Sequence, residues 1–275
     1  QSIIFDRQNN AFAEFAAPAQ MLAAQRAADA ILERMLTKDG TLLHRIRGGD
    51  AGIPGFLEDY AFLTWGLIDL YQATFVVRYL SHAVSLTEEM LSRFSAQDHG
   101  ALFFTADDAE ELIVRTVESH DGALPSGNSA AAYNLVRLAR MTGRSEWEEC
   151  AQDIMRAFAA QLERYAAGST VMLMALDFAT EEGQEIVLAG RDTAAVSSLA
   201  AEVRRRWLPR SVLLFHPDGD AEEIRRLVPF IEHNAAVDGK PTAWVCRNFA
   251  CEMPVHGAEE LDLSLIHISE PTRPY

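Results

Sequence analysis

The chain has 275 residues, of which 49 % are hydrophobic, and carries a formal net charge of -16 at pH 7. This hydrophobic fraction is sufficient for a sizeable core and argues against global disorder. The negative charge repels phosphate groups, so we expect neither nucleic acid nor an anionic membrane as a partner. No apolar run approaches the ~20 residues that a membrane-spanning helix requires.

The cysteines are too few to predict a disulfide framework, and a reducing cytoplasm is therefore the expected location. Cys246 and Cys251 are separated by four residues, which matches neither a C-x-x-C redox motif nor a zinc site without further ligands. We expect them to be small buried residues near a strand end. His44 and His216 are expected to be structural or surface residues, so the sequence predicts no metal and no cofactor.

The first third of the chain predicts helices and one strand-like run. An apolar spacing of three and four residues from Ala11 to Leu36 predicts a helix that Pro18 interrupts. Residues 38–55 predict a turn, a short strand and a glycine-rich loop. The segment 56–74 is apolar nearly all round, which is typical of a helix buried on all sides, whereas Val77 to Phe94 is amphipathic.

The segment that follows, residues 95–115, predicts a turn and a β-hairpin. A repeat is also visible: residues 66–94 align with residues 134–162 at a constant offset of 68. Each copy consists of an apolar helix, a short turn and an amphipathic helix. The aligned pairs are Leu67 with Leu135, Leu70 with Leu138, Thr74 with Thr142, Tyr79 with Trp147, and Ala83 with Ala151.

A pair of one buried and one exposed helix cannot close a core alone, so neighbouring pairs must stack. The result is either an open α-solenoid or a closed toroid whose buried helices line the axis. The long connections between pairs favour the toroid. The fold class that we predict is therefore mainly α, a partial (α/α)6 toroid over residues 1–180.

After Glu181 the pattern alternates between strands and helices. Residues 184–190, 211–217 and 241–248 predict strands, with helices at 193–206 and 221–231 between them. This alternation predicts a small α/β unit over residues 181–262 with largely parallel strands. A single glycine in "LAGRD" excludes a dinucleotide-binding loop.

Two stretches could carry chemistry. Glu58, Asp59 and Tyr60 begin the buried helix, where acids are favoured by the helix dipole but would also face the mouth of a toroid. In "SHDGALPSGN", Ser126 or Asn128 can cap the next helix. The repeat offset places Asp59 opposite Gly127, so both stretches should lie at the same end of the ring. Asp59 and Asp121 could then act as a general acid and base, with Glu58, Tyr60, Ser126 and Asn128 binding the substrate.

Four ordered motifs resemble one family: "PGFLEDYAFLTWGLIDLY", "LFFTADD", "HDGALPSGNSAAAYNLVRLARMTG" and "AWVCRNFACEMPV". They are similar to the thioredoxin-domain-containing proteins related to spermatogenesis-associated protein 20. The resemblance runs from about Ala23 to Val255 and implies a toroid of the six-hairpin glycosidase type. It also implies an N-terminal thioredoxin-like domain, for which these residues provide no match.

The resemblance leaves two functions open. One is glycoside hydrolase or sugar 2-epimerase chemistry on a carbohydrate ligand, with Asp59 and Asp121 as the acid and base. The alternative is a noncatalytic binding module that serves the thioredoxin-like domain. The last residues, 263–275, are similar to the translation of a transposase sequencing adapter, and we expect them to carry no function.

Overall fold

The computed structural model describes residues 18–96, 100–110 and 113–269, with side chains up to residue 265. Within these residues the fold is mainly α. No helix in this part of the chain is long and apolar enough to cross a membrane. The helices are α1 Pro18–Met35, α2 Leu57–Thr74, α3 Val77–Phe94, α4 Gly127–Thr142, α5 Ser145–Ala157, α6 Ala159–Arg164, α7 Thr170–Thr180, α8 Ser197–Arg204, α9 Glu222–Leu227 and α10 Ala258–Ser269.

Helices α2, α4 and α7 form a row, with α4 in contact with both neighbours. The amphipathic helices α3 and α5 pack beside α2 and α4, so the predicted two-helix repeat is present in the structure. Every residue of α4 except Tyr133 is buried, because the helix is covered by α2, α5, α7 and the sheet. This row positions three helix N-termini at one end of the molecule.

Helix α2 is less enclosed than its apolar sequence predicts. Its side toward α1 is only partly covered: Phe62 and Leu63 are half-buried and Gly66 is exposed. The prediction of a helix buried on all sides is therefore wrong for this face. Helix α1 begins at Pro18, where proline is tolerated because a first-turn N–H has no helical partner. The predicted start at Ala11 lies outside the described residues.

A small hairpin precedes α2. Strands β1 (Leu43–Arg47) and β2 (Asp50–Pro54) pair antiparallel around Gly48 and Gly49, whose φ angles are +62° and +96°. The predicted glycine-rich loop is thus partly a strand. The hairpin predicted after α3 is wrong: residues 100–110 and 113–115 contain no strand, and only an isolated bridge joins Ser95 to Leu102.

The second part of the chain forms a four-stranded sheet of order β4-β3-β5-β6. Its strands are β3 Gln184–Gly190, β4 Ser211–Pro217, β5 Thr242–Arg247 and β6 Ala250–Cys251. Only β3 and β4 are parallel, while β3–β5 and β5–β6 are antiparallel. The sheet is therefore mixed, and the prediction of largely parallel strands holds for one pair only.

The sheet joins the two parts of the fold through its two faces. Side chains such as Val187 and Leu214 face the helical core, whereas Ile186 and Leu213 face a second core formed with α8 and α10. Alternate residues of a strand point to opposite faces, and a strand buried on both faces is apolar throughout. Helix α10 continues past residue 262, and Leu265 is buried in this second core.

Candidate functional site

The N-terminal ends of α2, α4 and α7 meet at one end of the helical row. A Cβ atom added at Gly127 would lie 2.7 Å from Cγ of Leu57 and 3.3 Å from Cγ of Glu58. Glycine therefore lets α4 begin directly against the first turn of α2. The two stretches singled out in the sequence do lie together, as the repeat offset predicts. We call this end the mouth and define it by residues 56–59, 118–128 and 168–171.

Asp59 lies in the first turn of α2 and acts as a helix cap. Its Oδ2 atom accepts a hydrogen bond from the backbone N–H of Phe56 at 2.8 Å, which is half of a capping box. The same oxygen lies 2.9 Å from Nδ1 of His44 on β1. Asp59 therefore ties the β1–β2 hairpin to the helix start.

Asp121 joins two helix starts. One carboxylate oxygen accepts from the N–H of Ser126 at 3.0 Å, and the other accepts from the N–H of Val171 at 2.7 Å. Ser126 is the N-cap of α4 and Val171 lies in the first turn of α7. A carboxylate is favoured at both places because helix N-termini expose unpaired N–H groups and a positive dipole end. Asp121 is thus bound to main chain through both oxygens.

Ser126 and Asn128 are also held inside the fold. The Ser126 hydroxyl accepts from the Ser129 N–H at 3.1 Å, which is the expected N-cap bond. The Asn128 amide accepts from the N–H of Leu102 at 2.8 Å and donates to the carbonyls of Leu102 and Glu118, each at 2.9 Å. Asn128 is 1 % exposed. These bonds account for both residue types without a ligand.

Tyr60 is a core residue in this structure. Its side chain is fully buried, its ring contacts Phe94, and its hydroxyl accepts from the N–H of Leu42 at 2.9 Å. Burial raises the pKa of its phenol. The predicted role of Tyr60 in contacting a substrate has no support from this position.

Glu58 is a carboxylate of the mouth that is partly desolvated and lies near other acidic side chains. Desolvation raises the pKa of Glu58, and the nearby charges of Glu118 and Asp59 raise it further. Two carboxylates that share a site favour a proton on one of them. Glu118 was not singled out in the sequence, and no local motif marks it, because its relation to Glu58 depends on the packing of the loop before α4.

A cavity of about 1090 Å³ runs along the other side of α2, between α1 and α2. Its lining is mostly apolar, with Met21, Ile31 and Leu63 among the contributing side chains, and Asp59 and Asp69 are its only acidic residues among those described. A cavity of this chemistry suits an apolar segment better than a carbohydrate, since sugar sites need many hydrogen-bonding groups.

Among the residues that the structure describes, no cluster of histidine, cysteine, aspartate and glutamate could hold a metal ion. The cysteine prediction needs correction. Cys246 and Cys251 form a disulfide between paired strands, with Cys246 buried and Cys251 exposed. Cys150 is not disulfide-bonded.

The fold and the mouth define a helical-repeat protein with an appended mixed sheet. Comparison with known proteins identifies relatives of this chain: it is related to spermatogenesis-associated protein 20. It is 33 % identical to the human protein over 210 residues, covering 75 % of this chain and 27 % of that protein. The mouse protein is 32 % identical over 213 residues, covering 75 % of this chain and 26 % of that protein.

A more distant match is the uncharacterized protein B0495.5 of Caenorhabditis elegans, 29 % identical over 221 residues, which are 79 % of this chain and 29 % of that protein. No protein-family model matches the chain. The chain thus spans about a quarter of the length of the curated relatives that it matches.

Proposed function

We propose that the helical part is a segment of an (α/α)6 toroid of the six-hairpin glycosidase type, and that it serves as a noncatalytic binding module of a longer protein. The observation that carries this proposal is the hydrogen bonding of Asp59 and Asp121. Both carboxylates bind backbone N–H groups at helix starts. A general acid or base must instead exchange a proton with the substrate.

The cavity between α1 and α2 supports a binding role. Its apolar lining is unlike a sugar site, and the relatives are about four times as long as the segment that matches them. In this proposal the cavity is covered by a further apolar helix of the same polypeptide. The thioredoxin-like domain that the family resemblance implies is the partner served by the module, in the cytoplasm.

Turnover assays test the noncatalytic role. Wild-type protein, D59N and D121N are incubated with chromogenic glycosides and with N-acylglucosamine, and hydrolysis and epimerisation are measured. We expect no turnover above a heat-denatured blank, and a lower Tm for both variants because caps are weakened. The proposal fails if wild-type protein turns over a sugar, and loss of that activity in either variant at an unchanged Tm would assign it to the substituted acid.

The cavity is tested separately, with the isolated chain. An open apolar surface of this size binds the dye ANS and promotes self-association. We expect Leu63→Glu to reduce both signals in fluorescence and sedimentation experiments, while the exposed control E232Q leaves them unchanged. Equal signals in wild-type protein and Leu63→Glu would show that the dye and the self-association use a surface other than this cavity.

A second function is favoured by the position of Glu58, which is partly desolvated against the start of α4 and lies within the electrostatic influence of Glu118 and Asp59, so that its pKa is raised. Acidic groups placed together in this way suit acid and base chemistry on a carbohydrate ligand, in which a protonated carboxyl donates to the leaving oxygen. In this proposal Glu58 is the proton donor, and Asp59 and Asp121 fix the loops around the ligand. It requires that E58Q abolish a measured sugar turnover at an unchanged Tm, and that the exposed E232Q keep it.

A further inference from the structure

Strands β5 and β6 form a hairpin closed by a disulfide. Cys246 and Cys251 are register partners, followed by the pair Arg247 and Ala250. Between them lie Asn248 and Phe249, with φ angles of +48° and +63°. Positive φ at both positions is typical of a two-residue hairpin turn that matches the twist of its strands. The two sulfur atoms are therefore adjacent because of the hairpin.

The disulfide contributes little to closing this hairpin. The stabilisation by a disulfide grows with the length of the loop that it closes, and only four residues lie between these cysteines. The turn is already fixed to the rest of the fold. Arg140 of α4 donates to Oδ1 of Asn248 at 2.7 Å, and the Phe249 N–H donates to Glu185 at 3.0 Å. A structural role therefore does not explain the bond well.

The two cysteine residues differ in exposure. Cys246 is 0 % exposed and faces the interior, whereas Cys251 is exposed on the short edge strand. Because Cys246 is fully buried, we expect a thiolate arriving from solvent to attack Cys251. Such an attack needs an accessible sulfur and a leaving thiolate that its surroundings can stabilise.

A hydrogen-bond donor lies beside both sulfur atoms. Nδ2 of Asn234 is 3.2 Å from Sγ of Cys251 and 3.9 Å from Sγ of Cys246. Asn234 is 3 % exposed, and its backbone carbonyl oxygen lies 3.1 Å from Nδ1 of His216, which fixes the main chain that carries this donor. An N–H donor favours a thiolate over a thiol because it stabilises the negative charge.

We propose that Cys246–Cys251 is a thiol–disulfide exchange site that accepts electrons from a dithiol reductant through Cys251. One thiolate of the reductant attacks Sγ of Cys251, a mixed disulfide forms, and Cys246 leaves as a thiolate. The second thiolate of the reductant then attacks the reductant's first sulfur, which is bonded to Sγ of Cys251 in the mixed disulfide. Cys251 leaves as a thiolate. Two electrons pass to the protein, two protons from solvent neutralise its thiolates, and the reductant becomes a cyclic disulfide.

The test uses the whole 275-residue chain in buffers of reduced and oxidised dithiothreitol. After acid quenching, alkylation and mass spectrometry measure the oxidised fraction of each cysteine, and circular dichroism follows the fold. We expect the pair to be reduced and reoxidised reversibly while the helical signal stays constant. C150S should behave like wild-type protein. A bond that yields only in denaturant, or that never forms in oxidising buffer, would overturn the proposal.

The direction of attack is tested with two single variants. Of the disulfide pair, C246S leaves the thiol of Cys251 and C251S leaves the thiol of Cys246. We expect Cys251 to react with a disulfide reagent at least about tenfold faster, since exposure and a nearby donor favour thiolate reactivity. Cys150, whose pKa is raised by desolvation and by neighbouring acids, is the slow internal reference in both variants. Equal rates, or a faster Cys246, would show that Cys251 is not the point of entry.

Discussion

Arg140 of α4 and Glu185 of β3 form an ion pair that joins the helical part to the sheet. Their closest atoms, Nη1 and Oε1, are 3.3 Å apart, and the Glu185 side chain is completely buried. Glu185 also accepts from the N–H of Phe249. Burial raises the pKa of Glu185, and these two partners oppose that rise. The pair therefore holds a charge at the junction that the surrounding core disfavours.

Removal of the Glu185 carboxylate should destabilise the fold. E185A leaves Arg140 and the Phe249 N–H without this acceptor, and loss of one member of a buried pair costs about 3–5 kcal/mol. E185Q should lose less, because its amide oxygen can still accept from Phe249. Urea unfolding followed by circular dichroism gives both free energies. Equal losses in the two variants would assign the effect to the negative charge beside Arg140, because glutamine keeps the side-chain volume and the acceptor oxygen.

Asp121 should matter more for stability than an exposed acid does. D121A removes the acceptor of the Ser126 and Val171 N–H groups, and each unpaired buried donor costs about 1–3 kcal/mol. D218N, at an exposed position, is the control and should leave the unfolding midpoint unchanged. Urea unfolding of both variants is the measurement, and the midpoint of D121A should be lower than that of D218N. A D121A midpoint equal to that of D218N would mean that water replaces the carboxylate.

Gly168 is the tightest glycine of the mouth. An added Cβ atom would lie 2.5 Å from two ring carbons of Tyr165 and 2.9 Å from Nδ1 of His120. G168A should therefore cost about 1–3 kcal/mol, since the stacked rings must separate. G66A has nothing within 4 Å and lies in a helix, so it should be neutral or stabilising by about 0.5–1 kcal/mol. Thermal unfolding of both variants measures the difference.

Glu58 predicts a pH dependence of stability. Its pKa is raised above the ordinary value of 4.5, so the folded state binds this proton more tightly than the unfolded state. The free energy of unfolding should therefore fall as the pH rises from about 4.5 through the raised pKa. E58Q cannot ionise and should lack this contribution, while groups such as Glu185, whose pKa is also raised, keep theirs.

The measurement is the urea midpoint at a series of pH values from 4 to 8, for wild-type protein, E58Q and E232Q. The urea midpoint of E58Q should rise relative to that of wild-type protein as the pH rises. Parallel curves for E58Q and wild-type protein would mean that Glu58 has the same pKa in both states.

Periodicity predicted the helices well where one apolar face dominates. The amphipathic helix α3 has the predicted bounds, Val77 and Phe94, and the repeat offset correctly placed Gly127 beside the start of α2. The predicted hairpin after α3 failed for a physical reason. Its apolar residues at 101–104 look like a strand, but much of their main chain pairs with the Asn128 side chain and with Thr116.

The mouth could be located from the sequence, but its contacts could not. Asp121 and Val171 are 50 positions apart, and no local pattern marks their hydrogen bond. The relation of Glu58 to Glu118 likewise depends on tertiary packing. The disulfide required knowledge that Asn248 and Phe249 form a two-residue turn. Asparagine is common in such turns, whereas phenylalanine is a poor signal because its Cβ disfavours positive φ.

Asn128 links the opening of two irregular loops, those of Leu102 and Glu118, to the opening of helix α4. Its amide pairs with both polar groups of the Leu102 backbone, as a neighbouring strand would, and with the carbonyl of Glu118. Amide hydrogens exchange through local opening, and groups that open together share one protection factor. The Leu102 amide should therefore exchange as slowly as the Ala130 amide, which donates the first intrahelical hydrogen bond of α4 to the Ser126 carbonyl. We thus expect loop and helix to open as one cooperative unit, although Leu102 and Asn128 are 26 positions apart in the chain.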